Sequence, residues 1–212
     1  MTINEPVTVV TNWMITGVSW VLAVRLWRQL KGSARVIPGR KWALALLFLG
    51  MASLFGGLHH GLDTSVRPVG LGGGDLFWQL TMLSIGLVSY LIVTGTGQAV
   101  LPEKWWPLLL IVSTVKLIAY VMLALPEGAF YLAILDYASA MVLVVLFSGI
   151  GFWQSRLRAA PWMVMGVTIS FVAAGIQQSG WGLHQHFNHN DVYHTIQIFG
   201  VFCFYRGAQR FY

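Results

Sequence analysis

Apolar runs of about twenty residues, each closed by a short polar or basic connection, recur along the chain from Val7 to Phe204. A helix of that length spans the roughly 30 Å hydrocarbon core of a bilayer. Hydrocarbon offers the backbone no hydrogen-bond partner, so such a run must satisfy its own amides. Of the 212 residues, 57% are hydrophobic and only 9% are charged, a composition that excludes a soluble globular domain. The runs at about 7–27, 42–62, 76–100, 108–125, 130–153, 161–183 and 191–204 predict an all-α integral membrane bundle of seven transmembrane helices. They form a single domain over 1–212. Pro38-Gly39, Gly72–Gly74, Pro102, Pro107 and Pro126-Gly128 mark the expected breaks.

The formal charge is +6, but its distribution follows topology. Arg25, Arg28, Lys31, Arg35, Arg40, Lys41, Lys104, Arg156, Arg158, Arg206 and Arg210 all fall on one side of a seven-crossing chain, and Arg67 alone falls on the other. The positive-inside rule then predicts an outer N-terminus and an inner C-terminus. No basic residue precedes the first run, so it reads as an anchor and not as a cleavable signal. No basic helix with interleaved aromatics is present, and a nucleic-acid partner is not expected. The single Cys203 excludes a disulfide framework and a CxxC motif. Short connections and the charge bias point to a bacterial inner (plasma) membrane, with membrane lipids as partners. Oligomeric state is left open.

All six histidines fall in the outer half of this layout. His59 and His60 end the second run, while His184, His186, His189 and His194 crowd the last connection and the start of the seventh helix. Imidazoles at a hydrocarbon edge are costly unless solvated, paired or bound to metal. They are read either as interfacial groups bonded to water and headgroups, or as a zinc site of His60, His189 and His194. Three imidazoles leave a position for a water that zinc acidifies. Spacing is imperfect: His189 and His194 are five apart, which requires a non-helical entry at Asn190 or a widened turn. Asp75 and Asp191 can each cap a helix or move a proton. Ser53, two turns before His60 on the same face, can support an oxyanion or simply pack. Lys116 and Asp136, each inside an apolar helix, sit at similar depths and are expected to pair, with a proton relay as the functional alternative.

His60 on the second helix, Asp75 before the third and the histidines opening the seventh resemble the CREST superfamily of alkaline ceramidases and adiponectin receptors. The resemblance covers the seven-helix layout and a handful of positions. It implies zinc held by His60 and by seventh-helix histidines, and hydrolysis of a lipid amide or ester with Asp75 and Ser53 nearby. Two positions depart from it. Gly56 stands where the family has Ser, and Asn190 stands where the first histidine of its His-x-x-x-His pair belongs. Two other readings compete: a b-type haem between His59 or His60 and His194, and a metal or proton transporter using Lys116 and Asp136.

Overall fold

The structure, a computed structural model, describes residues 3–30, 36–154 and 158–211. Among these, seven long helices carry the fold: α1 (Pro6–Gln29), α2 (Val36–Gly61), α3 (Leu76–Val100), α4 (Trp106–Glu127), α5 (Phe130–Trp153), α6 (Ala160–Ser179) and α7 (His189–Ala208). The first six are long and apolar enough to cross a membrane. Lys31, Arg35 and Arg156 of the basic connections lie outside the described residues.

The ends depart from expectation where capping overrides the breaker residues. Pro38 and Gly39 do not interrupt the chain; α2 starts ahead of them at Val36. A proline in a first turn lacks only an N–H that has no partner in the helix, so it starts a helix as readily as it stops one. Pro6, Pro107 and Pro161 occupy the same kind of position in α1, α4 and α6. At the far end of α6, Gly180 adopts the left-handed conformation (φ 70°) and closes the helix at Ser179, short of the expected Leu183.

α3 is the central element, packed against α2, α4 and α5. α1 pairs with α2 and meets α7, and α6 joins α5 to α7, so the bundle closes into a ring. The main core runs through this ring, with Leu26, Trp42, Leu46, Ile92, Val144, Met163, Val201 and Phe204 all buried. α4 stands outermost, burying only Ser113, Tyr120, Ala124 and Leu125.

Where lipid replaces water, close contact between helices is what holds them together. At Gly57 of α2 an added Cβ would lie 2.6 Å from Trp13 Nε1 and 3.3 Å from Asn12 Cβ, both on α1. Gly57→Val is expected to cost about 1–3 kcal/mol by overpacking. It should lower the thermal midpoint of the purified protein by roughly 2–12 °C, whereas Gly149→Ala, with open space at its Cβ, should not lower it.

Candidate functional site

A cavity of about 230 Å³ lies where the C-terminal half of α2 faces the first turns of α7. Its polar lining comes from five helices. These residues are Asn12 of α1, Ser53 and His60 of α2, Thr81 of α3, Gln177 of α6, and Asn190, Tyr193, His194 and Gln197 of α7. The two histidine groups of the sequence, more than a hundred residues apart, therefore meet in one space.

His194 is 7% exposed and held from α1. Thr11 Oγ1 sits 3.1 Å from its Nδ1 and 3.3 Å from Asp191 Oδ1. In the arrangement that satisfies all three, the threonine hydroxyl donates to the carboxylate and accepts the Nδ1 proton. That tautomer leaves Nε2 as the base. His60 Nδ1 lies 3.3 Å from Glu5 Oε2. Only at His194 does a hydrogen-bonded partner at Nδ1 orient the ring and leave Nε2 for other chemistry; at His60 the Glu5 carboxylate is an exposed ion-pair neighbour.

The entry to α7 decides which other residues reach the cavity. Asn188 caps the helix, its side chain accepting from the N–H groups of Asn190 and Asp191, and Asp191 Oδ2 accepts the Asn188 N–H at 2.8 Å. This capping box makes the chain helical from His189 onward, so the expected non-helical entry at Asn190 is absent. On a continuous helix, residues five apart diverge by about 140°, while residues four apart share a face. The cavity is accordingly lined by Asn190 and His194, and His189 is not part of its lining. Asn190 Oδ1 accepts from Gln177 Nε2 at 3.1 Å. Asp191, 1% exposed, serves the cap and Thr11 and does not line the cavity.

Asp75 lies elsewhere. It caps α3, with Oδ1 accepting from the N–H groups of Phe77 (2.8 Å) and Trp78 (3.2 Å). Its Oδ2 faces His59 Nδ1 at 2.8 Å and Arg67 Nη1 at 2.9 Å. Desolvation pushes this carboxyl up, but hydrogen bonds from His59, the Trp78 amide and Arg67 outweigh it and leave the pKa lowered. A carboxyl with a lowered folded pKa contributes stability above its unfolded value, near 3.9, and loses it as pH falls through the folded value. Wild type should therefore shed thermal stability below about pH 4 more steeply than Asp75→Asn, measured by thermal unfolding across pH 3–6. His59 stacks on Trp78 at 4.7 Å between ring centroids. His184 and His186 are exposed in the preceding turn.

A second, apolar slot of about 90 Å³ adjoins the polar cavity and shares Leu49, Ile85, Phe130, Gln177, Tyr193 and Gln197 with it. It continues among Val88, Ala133, Met141 and Ala174. The polar cavity holds the imidazoles, and the adjoining apolar slot lies between α3, α5 and α6.

For a metal, the chemistry of the donors fits and their number falls short. His60 and His194 are imidazoles in one cavity, and His194 is anchored at Nδ1 as metal-ligating histidines are. Among the described residues, however, no three His, Cys, Asp or Glu side chains are grouped to hold an ion. The third imidazole implied by the CREST resemblance falls at Asn190.

Thr11 and Asn12 belong to this arrangement, and sequence reasoning passes over them. Their signal is present: Thr8, Thr11, Asn12, Thr16 and Ser19 repeat at helical spacing along α1, and all are buried. In a helix that is otherwise apolar, such a stripe marks the face turned towards the bundle. The pairing of Lys116 with Asp136 follows expectation: Lys116 Nζ donates to the Asp136 carboxylate and, at 3.1 Å, to its backbone carbonyl.

No curated protein and no solved structure matches the chain. A match over residues 7–212, covering all seven helices, places the chain in DUF6962, a family of unknown function.

Proposed function

We propose that the protein is an integral membrane hydrolase of a lipid amide or ester, working in the cavity shared by His60 and His194. The observation that carries this reading is the adjacency of the two spaces. An imidazole-lined polar cavity shares a wall with an apolar slot, an arrangement that suits a substrate with a polar acyl linkage and a hydrocarbon chain. The acyl carbonyl would lie among His60, Ser53 and Asn12, with the chain along Val88, Ala133 and Met141.

The residues of this chain supply the proton chemistry. His194, held at Nδ1 by Thr11, accepts at Nε2 a proton from the water that attacks the acyl carbon. Thr11, itself held by Asp191, keeps the ring in the required tautomer, the role of an orienting third group in hydrolytic triads. Ser53 and Asn12 offer donors to the developing oxyanion. The same His194 proton then passes to the departing amine or alcohol, so the acyl–N or acyl–O bond breaks to give a carboxylic acid and a neutral leaving group. Asp75, which the sequence offers as a helix cap or a proton carrier, is committed to Arg67, His59 and the α3 cap, and Asp191 acts through Thr11. Zinc is the cofactor proposed for the cavity; it would be held at Nε2 of His60 and His194, and in that form the zinc-bound water would stand in for the His194 lone pair that acts as the base in its absence. When bound it supplies Lewis-acid polarisation of the carbonyl and an acidified water.

The reading includes topology. α7, at 20 residues, is long enough to span a bilayer and is taken as the seventh crossing. The one-sided basic residues support an outer N-terminus and an inner C-terminus in a bacterial inner membrane, which places the imidazole cavity towards the outer leaflet. The test is to incubate the detergent-purified protein with long-chain N-acyl amides and matching esters and to detect the freed fatty acid by mass spectrometry. Release by wild type, absent in His60→Ala and His194→Ala, is the expected result. Equal release by all three proteins would discard the reading.

A further inference from the structure

On the far side of α3 from the histidines, a separate cavity of about 170 Å³ lies between α3, α4 and α5. It is lined by the Lys116–Asp136 pair, by Ser89, Tyr90 and Ser113, and by apolar walls such as Val93, Leu109 and Phe147. Two of its polar atoms are left over. Asp136 Oδ2 and Ser89 Oγ are both buried and have no hydrogen-bond partner, although Lys116 takes the other carboxylate oxygen. Asp136 is 8% exposed and Ser89 2%. Orphaned polar atoms in a low-dielectric interior cost free energy, and two lining one roomy cavity point to an occupant.

The chemistry of the occupant follows from these atoms. A carboxylate oxygen accepts only, whereas a serine hydroxyl both donates and accepts. Lysine and aspartate together leave the site without net charge, so a cationic ligand meets Lys116 and an anionic one meets Asp136. A neutral hydroxyl meets neither objection, since it can donate to a carboxylate oxygen and accept from a serine hydroxyl. The apolar walls suit a hydrocarbon tail, and Val112, 59% exposed on the outer face of α4, lies on the wall by which a lipid-borne molecule would reach the space.

We propose that this cavity is a second binding site, distinct from the histidine cavity, that takes the hydroxyl of an uncharged long-chain alcohol from the lipid phase. Water can offer the same hydroxyl, and the two sources are separated by chain length. The experiment measures thermal unfolding of the full-length protein in detergent with 1-dodecanol, dodecane or dodecanoate at equal concentration. Dodecanol alone is expected to raise the midpoint by several degrees. Ser89→Ala should unfold at or above the wild-type midpoint without additive, because it removes an unpaired hydroxyl, and should lose the dodecanol response. Asp136→Asn, which replaces the acceptor, is the second variant and should weaken the response too. An equal shift with dodecane, or a dodecanol shift retained in Ser89→Ala, overturns the proposal. So does the absence of any dodecanol effect on wild type, which would leave water as the occupant.

Discussion

Alanine in place of His194 is expected to lower acyl hydrolysis by about a hundredfold to ten-thousandfold, the usual worth of a positioned general base. The effect should fall on turnover more than on substrate affinity, because the apolar slot that holds the chain is built mainly from α3, α5 and α6. His60→Ala should lose activity on a similar scale, since the two rings line one space. His189→Ala is the informative contrast. It opens α7 on a different face and should retain most activity, measured as fatty acid released per minute by folded protein. Loss of activity in His189→Ala equal to that in His194→Ala would mean that the capped, continuous α7 does not describe the working site.

The second large effect is on stability. Lys116→Met removes the cation that faces Asp136 and leaves a carboxylate, 8% exposed, with neither oxygen compensated. Breaking a buried pair from one side costs about 3–5 kcal/mol. For a chain of this size that lowers the thermal midpoint by roughly 6–20 °C. The double variant Lys116→Met/Asp136→Leu should recover most of the loss, because desolvating two charges consumes much of what their attraction returns. Circular dichroism melts of the three proteins in one detergent check both parts. A double variant as unstable as the single would show that the pair contributes more than mutual neutralisation.

The helices were legible in the sequence because a bilayer-length apolar run has few alternatives. Their ends were less so. Pro38-Gly39 resembles a break, yet a proline tolerates a first turn, and α2 already includes both residues. The meeting of His60 with His194 could be anticipated from the crowding of polar residues at one end of an apolar bundle. The choice between His189 and Asn190 could not, because a five-residue spacing fits either a broken or a continuous entry. The Asn188–Asp191 capping box settles it in favour of continuity. Thr11 was hidden for a different reason. One threonine in an apolar helix is unremarkable by itself, and its importance depends on α7, 180 residues later, bringing Asp191 against it. Asp75 shows the converse: its position invited a catalytic role, while Arg67 and His59, close in sequence, hold it in a local ion-pair cluster.

The pairing of α2 with α7 at a single centre is tested most directly by the zinc content of the detergent-purified protein, with His60→Ala and His194→Ala measured beside wild type. About one zinc per chain in wild type, lost in both variants and kept in His189→Ala, is the predicted result. Zinc retained in either His60→Ala or His194→Ala, or no zinc in wild type after growth and purification with the metal supplied, would contradict a metal shared by these two histidines.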